Sequence, residues 1–285
     1  MKVEAGQVAV VTGGASGIGY ALAEAFASRG LSVVLADVRP EPLSRAVESL
    51  AEAQEKALAA AGAGVIGVPT DVSDPDAVQA LSDATLARFG RVDVVCNNAG
   101  VVGGMAPMWE QAPQTWRWLV DVLLLGVANG VRAFAPAMIS QGSGHFLNTA
   151  SAAGLMRLQG LGPYTTVKHA VVGLTETLDA ELRSTAPALG ASALCPGIVD
   201  TPLVATSAAI HPDGANAPTP PPGGGSSLPG DVITAADVAE IAIAGIEAGR
   251  VRILTHTDSF RPARARLAAV LADVDAAEQR NSSTA

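Results

Sequence analysis

Three side chains in the middle of the sequence have the types and the spacing needed to move a proton. Tyr164 and Lys168 are four residues apart, which places them on one face of a helix, and Ser151 follows an apolar run upstream of them. A free tyrosine titrates near pH ~10, and a neighbouring ammonium favours the phenolate, so we expect Lys168 to lower the pKa of Tyr164. Ser151 can then hydrogen-bond a substrate oxygen. A tyrosine and a lysine at this spacing also occur by chance in many helices, so the interpretation depends on the elements around them.

A glycine-rich turn near the start of the chain has the form of a phosphate-binding loop. The segment Thr12-Gly13-Gly14-Ala15-Ser16-Gly17-Ile18-Gly19 follows an apolar run and opens a helical pattern. Backbone N–H groups at such a turn, together with the helix N-terminus, face a pyrophosphate. A strand, glycines, a helix and a second strand occur here within the required length of about 30 residues, which favours dinucleotide binding over a purely structural turn. The predicted contacts are Gly13, Ser16, Gly17, Ile18 and Gly19.

Asp37 ends the second apolar run, 18 residues beyond Gly19. A carboxylate at this position accepts hydrogen bonds from an adenosine ribose diol and repels a 2′-phosphate, so NAD is expected as the cofactor and NADP is disfavoured. Arg39 lies two residues further on and could in principle pair with a 2′-phosphate. We expect it instead to be a solvated residue at the start of the next helix.

Short apolar runs alternate with longer helical stretches along the whole chain. The runs lack a polar alternation, which is typical of parallel strands buried on both faces. The predicted strands are residues 8–12, 32–37, 65–70, 92–97, 145–149, 191–195 and 251–255, and a helix is predicted over 235–249. The fold class is therefore predicted to be α/β, a Rossmann-type doubly wound, mostly parallel seven-stranded sheet with helices on both faces. Such sheets bind ligands beyond the carboxyl ends of their strands.

Three further motifs follow the predicted strands. They are Asp71-Val72, Asn97-Asn98-Ala99-Gly100 and Pro196-Gly197-Ile198-Val199-Asp200-Thr201. With the TGxxxGxG turn and the set of Ser151, Tyr164 and Lys168, they resemble the short-chain dehydrogenase/reductase family, from about residue 8 to 201 and more loosely to 255. The resemblance implies an oxidoreductase that uses NAD to interconvert a secondary alcohol and a ketone.

The resemblance also implies a role for each matching residue. Tyr164 would be the general acid/base, Lys168 would lower its pKa and hold the nicotinamide ribose, and Ser151 would polarise the substrate carbonyl. No metal would be needed. Besides the glycine turn and Asp37, the implied cofactor contacts are Asp71, Val72, Asn98, Ala99, Gly100, Tyr164, Lys168, Pro196, Gly197, Val199 and Thr201. A homotetramer or dimer is implied, built on the helices around Leu123 and Tyr164 and on the last strand.

One position departs from the family pattern. Leu123 stands where the family usually has an asparagine that helps to seat a water of the proton relay. Asn129 lies about 240° around a helix from it and cannot simply substitute. In the family a main-chain carbonyl largely holds that water, and a leucine keeps this carbonyl, so we expect an active enzyme with a weakened relay. The alternatives are a non-catalytic dinucleotide-binding protein and a redox-neutral epimerase that uses bound NAD.

The expected substrate side is mostly apolar. It comprises residues 101–108, residues 155–159 and the loop after Pro196, and it predicts a bulky, mainly uncharged alcohol or ketone. Trp109, Trp116 and Trp118 are expected mainly in helix cores.

Length and composition predict the domain organisation of the chain. A chain of 285 residues fits one α/β domain over 1–285, with a mobile Pro/Gly/Ser-rich insertion at about 201–231 and a flexible tail at 276–285. An apolar stripe on a final helix, formed by Leu267, Val270, Leu271 and Val274, suits a lid, a subunit contact or packing on the same domain.

Charge and cysteine content give further expectations. A net charge of -9 repels phosphate backbones, so no nucleic-acid partner is expected. No 18-residue stretch is free of charge or breakers and no signal peptide is recognisable, which predicts a cytoplasmic protein without a membrane partner. Cys96 and Cys195 are interpreted as reduced core residues, and the four histidines form no cluster that resembles a metal site.

Overall fold

The structure is a computed structural model and describes residues 1–57, 63–212, 231–256 and 258–282. Within these residues the strands are β1 Val8–Thr12, β2 Ser32–Asp37, β3 Val65–Pro69, β4 Val94–Asn97, β5 Gly144–Thr149, β6 Leu189–Cys195, β7 Val199–Asp200, β8 Ile233–Thr234 and β9 Arg252–Leu254. The helices are α1 Gly17–Ala27, α2 Pro40–Ala57, α3 Pro75–Phe89, α4 Pro113–Val120, α5 Gly126–Gln141, α6 Gly162–Thr185, α7 Leu203–Ala209, α8 Ala235–Glu247 and α9 Arg261–Ser282.

The main sheet has seven strands in the order β3-β2-β1-β4-β5-β6-β9, and every described pair in it is parallel. The predicted doubly wound fold is therefore confirmed. The first two strands have the predicted bounds, and the other five begin or end one or two residues from them. A separate two-stranded sheet pairs β7 with β8 and had no counterpart in the prediction.

Successive side chains of each strand pack alternately into two apolar layers, one on each face of the sheet. On β1, Val11 packs with Phe26 of α1 and Ile246 of α8, whereas Val10 packs with the layer that holds Phe134 of α5. This is the consequence of a pleated strand whose successive side chains point to opposite faces. Because both layers are apolar, the strand residues read as unbroken hydrophobic runs in the sequence.

The chain order reverses direction across β1 and β4, which lie next to each other in the middle of the sheet. Crossovers from β1 build outward to β2 and β3, and those from β4 build outward to β5, β6 and β9. The loops at the carboxyl ends of β1 and β4 therefore separate and leave a crevice, which is where ligands bind in sheets of this kind.

Helices α4 and α5 form one continuous rod that is joined by a π-helical turn at Asp121–Leu125. By length and composition the stretch Pro113–Gln141 passes the test for a membrane span, with a mean hydropathy of 1.7 and 39% of its most apolar window buried. In the fold the rod packs against α3 and α6. Apolar helices of a packed core pass the same test, so the absence of a membrane partner stays a prediction.

The C-terminal part differs from the sequence-based expectation. The stripe of Leu267, Val270, Leu271 and Val274 on α9 is about half exposed, so it does not pack on its own domain. The tail predicted at 276–285 begins inside α9, which continues to Ser282. Most of the predicted mobile insertion at 201–231, together with the last three residues, lies outside the described part of the chain.

Candidate active site

A cavity of about 410 Å³ opens at the carboxyl ends of the central strands. It brings together side chains that are far apart in the sequence. Of the predicted site residues, those that line it are Gly13, Ser16, Gly17, Ile18, Asp37, Asp71, Val72, Asn98, Ala99, Gly100, Ser151, Tyr164, Lys168, Pro196, Gly197, Val199 and Thr201. Gly19 does not line it.

Glycines in the turn allow a backbone conformation and close contacts that a Cβ would prevent. Gly13 and Gly17 have φ values of +63° and +56°, a region that favours glycine. A Cβ on Gly13 would lie 2.8 Å from the Cα of Ala99. A Cβ on Gly19 would lie 2.2 Å from the carbonyl oxygen of Gly13, so Gly19 permits close packing of turn and helix instead of contacting the cavity. The turn fits a pyrophosphate at the start of α1.

Asp37 is buried at the end of β2 and is already engaged by its neighbours. Its carboxylate accepts hydrogen bonds from the backbone N–H of Ala15 at 3.2 Å and from Nε of Arg39 at 2.9 Å. The Nη2 atom of Arg39 also donates to Asp37 at 3.1 Å and to the hydroxyl of Ser16 at 3.2 Å. Arg39 is therefore not the solvated residue that we expected. It lines the cavity as the partner of Asp37, because the tight turn at the start of α2 brings its guanidinium back over the carboxylate.

Asn98 fixes the geometry where β1, β4 and β5 end. Its side chain donates to the carbonyl of Thr12 at 3.0 Å and accepts from the hydroxyl of Thr149 at 3.1 Å. The hydroxyl of Thr12 in turn accepts from the backbone N–H groups of Asn98 and Ala99, at 2.9 and 3.0 Å. Sequence reasoning included Asn98 but missed the two threonines, which hold the loop in place.

The acid–base cluster is assembled by the packing of a short turn on α6. Ser151 caps a 3-10 turn, with its hydroxyl accepting from the N–H of Ala153 at 3.1 Å. A Cβ on Gly154 would lie 2.6 Å from the carbonyl oxygen of Lys168, so only glycine lets this turn approach α6 so closely. The approach places the Ser151 hydroxyl near the phenol of Tyr164.

Lys168 lies one helical turn beyond Tyr164, and its ammonium is buried. It donates to the carbonyl of Thr149 at 2.7 Å, and its Nζ lies 5.7 Å from the centre of the Tyr164 ring. Burial lowers the pKa of Lys168 to about 8. Burial also raises the pKa of Tyr164, and the nearby Ser151 hydroxyl lowers it by less. The expected lowering of this pKa by Lys168 is therefore not found, because burial dominates and the ammonium is directed to Thr149.

Leu123 lies in the π-helical turn, is buried and lines the cavity. It packs in an apolar group with Val101, Val167 and Tyr164. Asn129 does not take its place. The Asn129 side chain donates to the carbonyl of Val72 at 3.0 Å and so holds the loop after β3.

The apolar end of the cavity differs from the prediction. Residues 155–159 are absent from its lining, and Met156 and Leu158 are buried in a cluster with Tyr164 instead. Trp109 is 85% exposed, whereas Trp118 lines the cavity and contacts His211 edge to face, with the ring centres 4.9 Å apart.

An apolar set also lines the cavity, and sequence reasoning predicted only part of it. Its members are Trp118, Val122, Leu203 and Ile210, from α4, the π-helical turn, α7 and the residue after α7. Leu203 and Ile210, with Pro202 and Thr206, fall in the predicted substrate loop after Pro196, whereas Trp118 and Val122 were not assigned to the cavity. Other unassigned lining residues are Val38, Thr70, Ser73, Thr149 and Ala150.

Within the part of the chain that the structure describes, no group of three or more His, Cys, Asp or Glu side chains is arranged to hold a metal ion. Both cysteines are free and buried, and burial raises the pKa of the Cys195 thiol to about 12.

Fold and site together define a class of protein. The sheet carries a phosphate-binding turn, an acidic residue at the end of β2 and a serine–tyrosine–lysine cluster, and all three face one cavity. This arrangement suits a dinucleotide beside a proton donor and acceptor.

Comparisons with known proteins identify the family. The family model for short chain dehydrogenases matches residues 7–210. The 1-deoxy-11-beta-hydroxypentalenate dehydrogenase of Streptomyces exfoliatus is 36% identical over 255 residues, which cover 89% of this chain and 84% of that protein. The cis-4-hydroxycyclohexanecarboxylate dehydrogenase of Sinomonas cyclohexanicum is 38% identical over 199 residues, covering 70% and 76% of the two chains.

A solved structure shows the same relationship in three dimensions. A short chain dehydrogenase/reductase from Burkholderia phymatum, in complex with NAD, superposes with a TM-score of 0.82 at 38% identity and covers 96% of each chain. This chain belongs to the short-chain dehydrogenase/reductase family. It is accordingly an oxidoreductase that acts on CH–OH groups.

Proposed function

We propose that this protein is an NAD-dependent dehydrogenase that interconverts a bulky, mainly apolar secondary alcohol and its ketone, with Tyr164 as general acid/base. The observation that carries the proposal is the placement of Ser151, Tyr164 and Lys168 on the wall of the cavity that also contains the glycine turn and Asp37. A dinucleotide bound along the turn would extend towards the phenol.

Each of the three side chains has a distinct task in this scheme. A bound nicotinamide supplies the acceptor or donor of the hydride. Tyr164 takes the proton of the alcohol during oxidation and returns it during ketone reduction. Ser151 donates a hydrogen bond to the substrate oxygen, and the ammonium of Lys168, on the same wall of the cavity, would hold the nicotinamide ribose.

The ribose-binding end supports NAD over NADP. A 2′-phosphate would lie beside the buried carboxylate of Asp37, at a cost in free energy because like charges repel in a partly dehydrated site. Arg39 lies within reach, but its guanidinium already contacts both carboxylate oxygens. Its positive charge is thus largely compensated before any ligand arrives.

The apolar end supports an alicyclic substrate without charge. Trp118, Val122, Leu203 and Ile210 present broad hydrocarbon surfaces. Among the described residues that line the cavity, the cationic side chains are Arg39, paired with Asp37, and the buried Lys168. Such a wall favours a ring-shaped hydrocarbon over an anion. Two relatives are named for ring-containing alcohols that also carry a carboxylate, so they support the ring shape of the substrate and not its lack of charge.

We also propose that the protein is a homo-oligomer. Leu125 in the α4–α5 rod and Leu254 on the edge strand β9 are each 46% exposed. A second copy that covers these two side chains would remove apolar surface from water, which is favourable.

The proposed function is tested by measuring the oxidation of alcohols with NAD or NADP. Purified protein is mixed with NAD or NADP and with cyclohexanol, larger alicyclic alcohols and a carboxylated cyclohexanol, and reduced nicotinamide is followed by absorbance. We expect turnover with NAD, faster on the uncharged alcohols. The Tyr164→Phe variant should lose about 10²-fold or more of it, as for the loss of a general acid/base.

Tyr20→Phe is the matched control, because its hydroxyl contacts Ser49 on the exposed surface. Its turnover should equal that of the wild type. Cofactor binding without turnover of any alcohol or ketone would instead identify a dinucleotide-binding protein without catalysis. Inversion of a substrate centre without net NADH would identify an epimerase.

A further inference from the structure

His256 follows the last strand of the sheet and contacts the loop after β6, at residues 196–199. This loop lies on the acid–base side of the cavity, because the carbonyl of Pro196 accepts a 2.7 Å hydrogen bond from the N–H of Ala152, next to Ser151. Pro196, Gly197 and Val199 line the cavity there. We propose that His256 is a positioning residue that sets the main chain of the 196–199 loop for the nicotinamide half of the cofactor. The proposal rests on the proposed function.

Both ring nitrogens of His256 are used by the loop and its immediate neighbour. The Nδ1 atom lies 3.2 Å from the backbone nitrogen of Gly197 and 2.6 Å from the hydroxyl of Thr255. The Nε2 atom lies 3.0 Å from the carbonyl oxygen of Ile198. The neutral tautomer protonated at Nε2 fits these contacts: Nε2–H donates to Ile198, and the single lone pair of Nδ1 is shared between the Thr255 hydroxyl and, at the longer distance, the N–H of Gly197.

The loop presents a donor and an acceptor from consecutive residues, and a rigid ring with one donor and one acceptor matches this pair. The carbonyl of Ile198 also accepts from the N–H of Ile233, which joins the loop to β8. Without the imidazole, the N–H of Gly197 would keep only a 3.4 Å approach to the Thr255 hydroxyl. Because Gly197 has no side chain to restrict its backbone, its orientation then depends on few contacts.

The position of His256 in the chain explains why motif reasoning did not find it. The family match covers residues 7–210, and His256 lies beyond it. It becomes part of the site only because β9 pairs in parallel with β6, which places the residues after both strands side by side.

The test compares two ligands that differ in the nicotinamide. NADH and ADP-ribose are titrated against the wild type and against His256→Ala, His256→Asn and His256→Gln. The alanine variant should bind NADH about tenfold or more weakly, as expected for two lost hydrogen bonds, and ADP-ribose within twofold of the wild type. Asparagine can replace the acceptor at Nδ1 and glutamine the donor at Nε2, so each should recover part of the NADH affinity. His169→Ala is the control, since its ring contacts only the carbonyl of Thr165 on its own helix among the contacts described.

The outcomes separate the two proposals. A wild type that binds neither ligand contradicts the proposed function. A wild type that binds both, with His256→Ala either unchanged for NADH or equally weakened for both ligands, overturns the positioning role alone. If the alanine variant does not fold, the asparagine and glutamine variants carry the same comparison, because each keeps one of the two bonds.

Discussion

The buried ammonium of Lys168 lowers the stability of the fold and has a role in the proposed reaction. Its ammonium is buried, and its one described hydrogen bond is to the carbonyl of Thr149. Burial lowers its pKa from 10.5 to about 8. A change of this size corresponds to roughly 3 kcal/mol of unfavourable free energy for the charged form in the folded state. The site therefore contains a charge that destabilises the fold and that the proposed reaction uses.

A Lys168→Met substitution is expected to stabilise the fold and abolish turnover. Between pH 8 and 10.5 the unfolded chain binds the lysine proton more strongly than the folded chain, so the free energy of unfolding of the wild type rises with pH there. Below pH 8 the full penalty is present, and methionine removes it. We expect a gain of about 1–3 kcal/mol at pH 7 that shrinks by pH 10, measured by urea unfolding at both pH values. A loss of stability at pH 7 would show that the Thr149 bond outweighs burial.

Asp37 and Arg39 together determine the cofactor preference at the ribose end. In Asp37→Ser the carboxylate is lost and Arg39, 3.2 Å from the Ser16 hydroxyl, becomes free to bind a 2′-phosphate. The ratio of kcat/KM for NADP to that for NAD should rise at least about tenfold. The double variant Asp37→Ser, Arg39→Ala is the control and should lose most of that gain. An equal gain in both variants would assign discrimination to the carboxylate alone.

At the scale of the element, helix α7 carries part of the substrate wall. The hydroxyl of Ser207 accepts from the N–H of Val102 at 3.0 Å and donates to the carbonyl of Leu203 at 2.6 Å. It therefore joins α7 to the loop after β4. Leu203 and Ile210, at the two ends of this helix, both line the cavity.

Replacing Ser207 by alanine should loosen this connection without altering the cofactor site. We expect KM for the alcohol to rise severalfold, as for the loss of one or two hydrogen bonds, with KM for NAD unchanged. Steady-state kinetics with each substrate varied in turn measures both. Val204→Ala, at an exposed position of the same helix, is the matched control. A rise in KM for NAD would mean that α7 also supports the cofactor.

At the scale of the whole molecule, the exposed apolar side chains predict self-association. Leu125→Glu places a charge on the α4–α5 rod, where burial against a second copy would cost several kcal/mol without a partner charge. Sedimentation velocity should show a dimer or tetramer for the wild type and a smaller species for the variant. Val232→Glu is the control, at a 62% exposed position before β8. If Leu125→Glu keeps the wild-type mass and Leu271→Glu does not, the interface lies on α9 instead.

Much of the fold was determined by local patterns. Unbroken apolar runs predicted the buried parallel strands, and Gly13, Gly17 and Gly19 predicted the turn before α1, because both signals depend on residues close together in the chain. The same holds for Tyr164 and Lys168, whose common face follows from one helical turn. The ends of five strands differ from the prediction by one or two residues, since pairing with neighbouring strands decides where the last hydrogen-bonded residue lies.

Contacts between distant segments were decided only by the tertiary structure. The direction of the Lys168 ammonium depends on Thr149 in another element, and the pKa of Tyr164 depends on how deeply the phenol is buried. Trp118 and His256 enter the site because α4 packs beside the cavity and β9 lies beside β6. A sequence pattern records the residue types and their local spacing. Burial, hydrogen-bond direction and electrostatic environment arise only when segments far apart in the chain pack together. Each of them depends on atoms of residues that are distant in the sequence.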